Sequence, residues 1–150
     1  MRALLDVSVL IALFDSEHVH HGVASEWFAA EASQGWATCP LTQNGCLRIL
    51  SASGYPNSAP VAVVADILAE AASDPSHEFW PNDISLLESG VLVWNNLLTG
   101  RHLTDVYLLA LAARRGGRLV TLDRGIPLAA VPDAATSNLY VLRNSTQASQ

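Results

Sequence analysis

A chain of 150 residues, half of them hydrophobic, has enough apolar material for one core and the length of one domain. Its formal charge of −6 excludes a protein that grips nucleic acid with its whole surface, because phosphate binding asks for a basic face. The charge is uneven: residues 1–90 carry eleven acids against Arg2 and Arg48, whereas residues 91–150 carry three acids against six arginines, so the C-terminal part can supply a local basic edge.

No stretch of about 18 residues is free of charge and polarity, so no membrane-spanning helix is expected. The opening MRALLDVSVLIALF imitates a secretory signal, but Asp6 interrupts its apolar run and no small-x-small cleavage site follows. A soluble, cytoplasmic protein is the expectation. Cys39 and Cys46 are the only cysteines and have no metal-ligand companions, which predicts two buried thiols.

In chain order, residues 3–7 form a short apolar run with an acid near its end and read as a buried strand. A short helix follows over 8–14, and an amphipathic helix over 18–33 is predicted from the spacing of Val19, Val23, Trp27 and Ala30. After Gly35, residues 36–39 suit a second strand, and Pro40 suits the first turn of a helix reaching about residue 52. The Pro-, Asn- and Ser-rich segment 54–60 is a loop, followed by a helix over 61–72. Residues 78–80 resemble a strand stopped by Pro81, and a small helix is predicted over 85–90; the segment to Arg101 has no readable period. Thr104 can cap a helix running to Ala113 and ended by Gly116-Gly117. A strand over 118–122 ends in Asp123, an edge strand is expected over 139–142, and the polar tail 144–150 should fray. Strands alternating with helices predict an α/β three-layer sandwich, with a mostly parallel twisted sheet of four or five strands flanked by helices.

In such a sheet, ligands bind beyond the carboxyl ends of the strands. Asp6 and Asp123 end strands, and Asp105 begins the helix before the last of these, so the three can share one rim. Each alone reads equally well as a turn or cap residue. Clustered carboxylates repel and ordinarily share a cation, and hard oxygen ligands favour Mg2+ or Mn2+. His18, His20 and His21 lack the Cys or Glu of a zinc set and read as surface or capping residues. Trp27 and Trp36 read as core; Trp80 and Trp94 could pack or stack on bases. Val19, Val23 and Phe28 could line a groove for a partner helix.

The ordered segments LLDVSVLIALFD, PLTQNGCLRIL and LTDVYLLALAARRGGRLVTLDRG resemble the PIN domain, most closely its VapC branch. HVHHGVASEWF and EFWPNDISL agree with this, and the resemblance spans residues 1–143. It implies a metal-dependent endoribonuclease in which Asp6, Asp105 and Asp123 hold Mg2+ or Mn2+. Ser8 would bond the first carboxylate or a metal-bound water. Arg48, Arg124 and the pair Arg101-His102 are candidates for RNA contact. The family usually carries Glu where this chain has Gln43, so the site has one charge less. The alternative implied by that change is a catalytically weakened module that binds a partner or RNA without cutting. The resemblance also implies a toxin held inactive by a cognate antitoxin, a homodimer, and contact with DNA only through the antitoxin.

Overall fold

The computed structural model describes residues 1–144, so the tail expected to fray lies, apart from Asn144, outside the described residues. Five short strands, β1 (Ala3–Leu5), β2 (Trp36–Thr38), β3 (His77–Phe79), β4 (Arg118–Thr121) and β5 (Leu139–Val141), form one sheet in the order β3-β2-β1-β4-β5. Every pairing is parallel, with Leu4 of β1 set between Ala37 of β2 and Leu119 of β4. This is the predicted α/β sandwich.

Strand alternation separates two cores. Leu5, Trp36 and Val120 face helices α1 (Val7–Phe14), α2 (His21–Glu31), α3 (Pro40–Leu50) and α4 (Val61–Ala72), meeting Val9, Leu10, Trp27, Cys46 and Val64. Leu4, Ala37 and Leu119 face helix α5 (Leu103–Arg114). One helix must do on this face what four do on the other, and residues 106–112 are consecutively buried. Such a helix is apolar all round. Its outer side is covered by Trp80, Ile84, Val91, Leu92, Ile126 and Val131 from irregular segments.

That covering explains why residues 81–99 resist reading: their apolar side chains answer to the surface of α5, with no period of their own. No helix forms over 85–90. The Ser85 hydroxyl accepts from the Leu87 N–H, the segment turns, and Gly90 adopts φ +87°. The second helix begins at His21 instead of residue 18, because Asp15 accepts from the Glu17 N–H and His18 Nδ1 from the His20 N–H. These local bonds compete with helix, and they leave Val19 exposed, contrary to its expected place on the helix face. Thr104 is not the cap of α5. A 3-10 turn, Gly100–His102, is capped by the Thr99 side chain and feeds directly into the helix. Cys39, Cys46, Trp27, Trp36 and Trp80 are buried, while Trp94 is half exposed.

Helices α1 and α3 approach closely at Gly45, where a Cβ would lie 2.6 Å from Val7 Cγ2. Val7 has a stiff branched side chain and follows Asp6 directly, so this contact fixes the chain beside that carboxylate. Gly45→Ala should destabilise the fold by about 1–3 kcal/mol through overpacking, measured as a lowered urea midpoint with an unchanged slope.

Candidate active site

From β1 the chain moves to β2 and β3 on one side and later returns to β4 and β5 on the other. The strand order therefore reverses between β1 and β4, opening a crevice at their carboxyl ends. Asp6 leaves β1 as the N-cap of α1, Asp123 follows the end of β4 by two residues, and Asp105 occupies the first turn of α5.

Asp6 is nearly buried and held on several sides. Its Oδ1 accepts from the Val7 N–H at 2.7 Å, and its Oδ2 accepts from the hydroxyls of Thr121 at 2.6 Å and Ser8 at 3.3 Å. Each hydroxyl also accepts one backbone N–H from the segment leaving β4: Thr121 from Asp123 at 3.0 Å, and Ser8 from Leu122 at 3.2 Å. The two hydroxyls thus couple the orientation of Asp6 to the chain that presents Asp123. Burial raises the Asp6 carboxyl above the usual range against the pull of these donors, and the Asp123 charge raises it further. The Asp105 carboxyl is pushed up to about 6, first by burial, then by the Asp6 charge; the hydrogen bond from His102 acts in the opposite sense.

His102 stands inside this cluster. Its Nδ1 lies 3.4 Å from Asp105 Oδ2 and 3.9 Å from Asp123 Oδ2. Ligand atoms of His102, Asp105 and Asp123 all lie within 4.8 Å of one another, a spacing that one cation can bridge. Asp6 lies outside this group of ligand atoms but its charge acts on Asp105. Gly125 closes over the same point: its N–H donates to Asp123 Oδ1 at 2.8 Å, and a Cβ there would stand 3.4 Å from His102 Cε1. Sequence reading placed His102 only beside Arg101 at a possible RNA edge and passed over Thr121. The available signals were the His at i−3 to Asp105 in HLTD and the hydroxyl two residues before Asp123 in TLD.

The remaining candidates scatter. Gln43 is half-buried near the start of α3, and its Nε2 donates to Thr38 Oγ1 at 3.0 Å; among the described residues it makes no hydrogen bond to the carboxylates. Arg48 is exposed in the last turn of α3, five residues on, which carries it about 7.5 Å further along the helix axis. Arg101 and Arg124 are exposed beside His102 and Asp123, and neither side chain forms an ion pair among the described residues. By contrast, Arg2, Arg114, Arg115 and Arg118 are paired with Glu78, Glu88, Asp83 and Glu31. His21 bonds Ala12 O and Ser25 Oγ, so it has a local structural role.

The PIN domain profile matches residues 3–132. Ribonuclease VapC44 of Mycobacterium tuberculosis is 46% identical over 142 residues, covering 95% of this chain and 100% of that protein. Ribonuclease VapC39 of the same organism is 44% identical over 140 residues, covering 93% of this chain and 97% of its own. Among solved structures, VapBC2 from Rickettsia felis, bound to a DNA fragment from its promoter, superposes with a TM-score of 0.62 at 13% identity, over 95% of this chain and 100% of that one. VapC20 of Mycobacterium tuberculosis, a sarcin-ricin loop cleaving toxin, gives a TM-score of 0.56 at 14% identity, over 98% of this chain and 94% of that one. The structural likenesses share the fold; the full-length sequence identities go further, and by them this chain belongs to the PIN domain family, in the branch formed by the VapC ribonucleases.

Proposed function

We propose that the protein is a Mg2+-dependent endoribonuclease, the toxin of a toxin–antitoxin pair, hydrolysing RNA phosphodiester bonds until a cognate antitoxin occludes its site. The observation that carries this reading is the group formed by His102, Asp105 and Asp123 over the buried Asp6 at the sheet's switch point. The residues fit a divalent cation: two carboxylates and an imidazole converge, and the burial and mutual charge that raise Asp6 and Asp105 are relieved by positive charge. Asp105, Asp123 and His102 would hold the ion, with Asp6 behind them. Carboxylates favour Mg2+, and the imidazole makes Mn2+ an effective substitute. A cation held by these residues would supply a lowered pKa for a water and positive charge against that developing on phosphate oxygens.

The chain's own residues supply orientation. Thr121, Ser8 and the Val7 N–H hold the Asp6 oxygens in fixed directions, so little reorganisation is needed when substrate arrives. Arg101 and Arg124 flank the acids, form no ion pair among the described residues and suit the RNA backbone. This local arrangement reconciles RNA binding with a charge of −6. Three retained acids plus His102 favour a working nuclease over the weakened binding module that Gln43 suggests. The partner in this reading is an antitoxin offering a cationic side chain to the acidic group and carrying any DNA contact, and the toxin works as a cytoplasmic homodimer.

Purified, antitoxin-free protein should cleave a panel of structured RNAs with Mg2+ and lose that activity with EDTA. Asp6→Asn and Asp105→Asn should each lower kcat/KM by about 100-fold or more; folded protein that cuts nothing with Mg2+ or Mn2+ would sink the nuclease reading. His102→Ala should weaken Mn2+ binding about tenfold by calorimetry, and an unchanged affinity would remove His102 from the metal group.

In chelated protein, Asp105 contributes a pH-dependent penalty. Its folded carboxyl titrates near 6 and its unfolded one near 3.8, so between these values the folded state keeps a proton that the unfolded state has released. Stability therefore falls as pH rises through that window, by about 1–3 kcal/mol in all. Chelated Asp105→Asn should lack this slope and exceed the parent in Tm at pH 7.5 by more than at pH 4.5.

A further inference from the structure

The side chains that converge at the rim offer a cation one nitrogen and two oxygens, since His102 Nδ1 lies 3.4 Å from Asp105 Oδ2 and 3.9 Å from Asp123 Oδ2. The neighbouring oxygens are engaged elsewhere. Asp123 Oδ1 accepts the Gly125 N–H at 2.8 Å, while Oδ2 faces His102. Both oxygens of Asp6 are held, Oδ1 by the Val7 N–H and Oδ2 by Thr121 and Ser8, and Asp6 does not enter the group. The seat is also sheltered on one side. The side chains of His102 and Asp105 are 13% and 19% exposed against 37% for Asp123, so an ion entering there sheds water toward His102 and Asp105 and keeps it toward Asp123.

These features discriminate among cations. Mg2+ prefers six oxygens and dehydrates reluctantly, so it gains little from an imidazole in a sheltered seat. Ca2+ asks for six to eight oxygens, more than two singly presented carboxylates supply. Zn2+ takes mixed nitrogen and oxygen ligands, commonly three from the protein with a further position left to water or substrate, and a nitrogen-containing site binds it more strongly than Mn2+. We infer that His102 sets the choice of metal at this site, and that the site holds Zn2+ more tightly than Mg2+, with Mn2+ between them. The inference rests on the metal-dependent ribonuclease reading for the place of the ion, while the selectivity belongs to the ligand set whether or not RNA is cut. It makes Zn2+ and Mg2+ competitors for one seat, so the ratio of the two ions, and not Mg2+ alone, governs which metal the site carries.

Metal binding to the purified full chain, stripped of ions by a chelator, tests this without RNA. Mn2+ is bound first, and its displacement is followed by the EPR signal of the freed ion. Zn2+ should displace it at a concentration about 100-fold or more below the Mg2+ needed. His102→Gln, which exchanges the nitrogen for an amide oxygen, should cut that preference by about tenfold or more while Mg2+ affinity moves by less than about threefold. Asp105→Asn should weaken both ions. Protein that takes up neither Mn2+ nor Zn2+, equal displacement by Mg2+ and Zn2+, or a preference unchanged in both His102→Gln and His102→Ala would overturn the inference. Equal loss of both ions in the His102 variants would overturn it too, since His102 would then act on the fold. Undiminished Zn2+ binding in Asp105→Asn would place the zinc elsewhere, as at the neighbouring rings of His18 and His20, and would have the same consequence. Protein that shows the expected order of ions but cuts no RNA would sink the nuclease reading and leave the metal selectivity standing.

Discussion

Asp6 loses nearly all its water where β1 passes into α1, and a carboxylate in that position is costly unless donors replace the solvent. The replacements come from both sides of the crevice: the Val7 N–H and Ser8 from the chain that leaves β1, and Thr121 from the end of β4. Because Thr121 and Ser8 also accept the N–H groups of Asp123 and Leu122, the bonds that make Asp6 tolerable also set the path of the chain carrying the second acid. The parallel pairing of β1 with β4 is what brings these groups together, and it puts them at the switch point, where the sheet leaves room for a ligand.

The third acid depends on a different constraint. Helix α5 serves as nearly the whole helical layer on its face of the sheet, and its burial leaves little freedom in rotation or depth. Asp105 is consequently delivered to the rim by packing along the rest of the helix. The 3-10 turn before it brings His102 back over Asp105 and toward Asp123. Raised carboxyls, an imidazole and two exposed arginines that form no ion pair among the described residues then gather at one rim, and the proposed binding of a cation and a phosphate backbone rests on that grouping in a chain whose net charge is −6.

Much of this was legible from the residues. Short apolar strands ending near Asp6 and Asp123, and Gly116-Gly117 after α5, identify the alternating β and α elements because each carries a local signal: burial run, acid, or helix stop. His102 carries no local signal that fixes its place among the acids, because proximity across a 3-10 turn depends on how that turn enters α5, and the expected cap at Thr104 left the turn capped by Thr99 out of account. Val19 fitted a helical period, but the side chains of Asp15 and His18 bind the following N–H groups and hold that stretch as a turn. The helix expected over 85–90 fails for a related reason, since its apolar residues serve to cover α5.

The sequence by itself determined the fold class, the family and the identity of the three acids, since periodicity, turn chemistry and ordered motifs are properties of neighbouring residues. Only the tertiary structure decided that His102 joins the acids, that Thr121 and Ser8 couple Asp6 to Asp123, and that the Gln43 amide bonds Thr38. These contacts join residues up to 115 positions apart or depend on the entry of a short turn. Their strength comes from burial, which no local pattern of residues encodes.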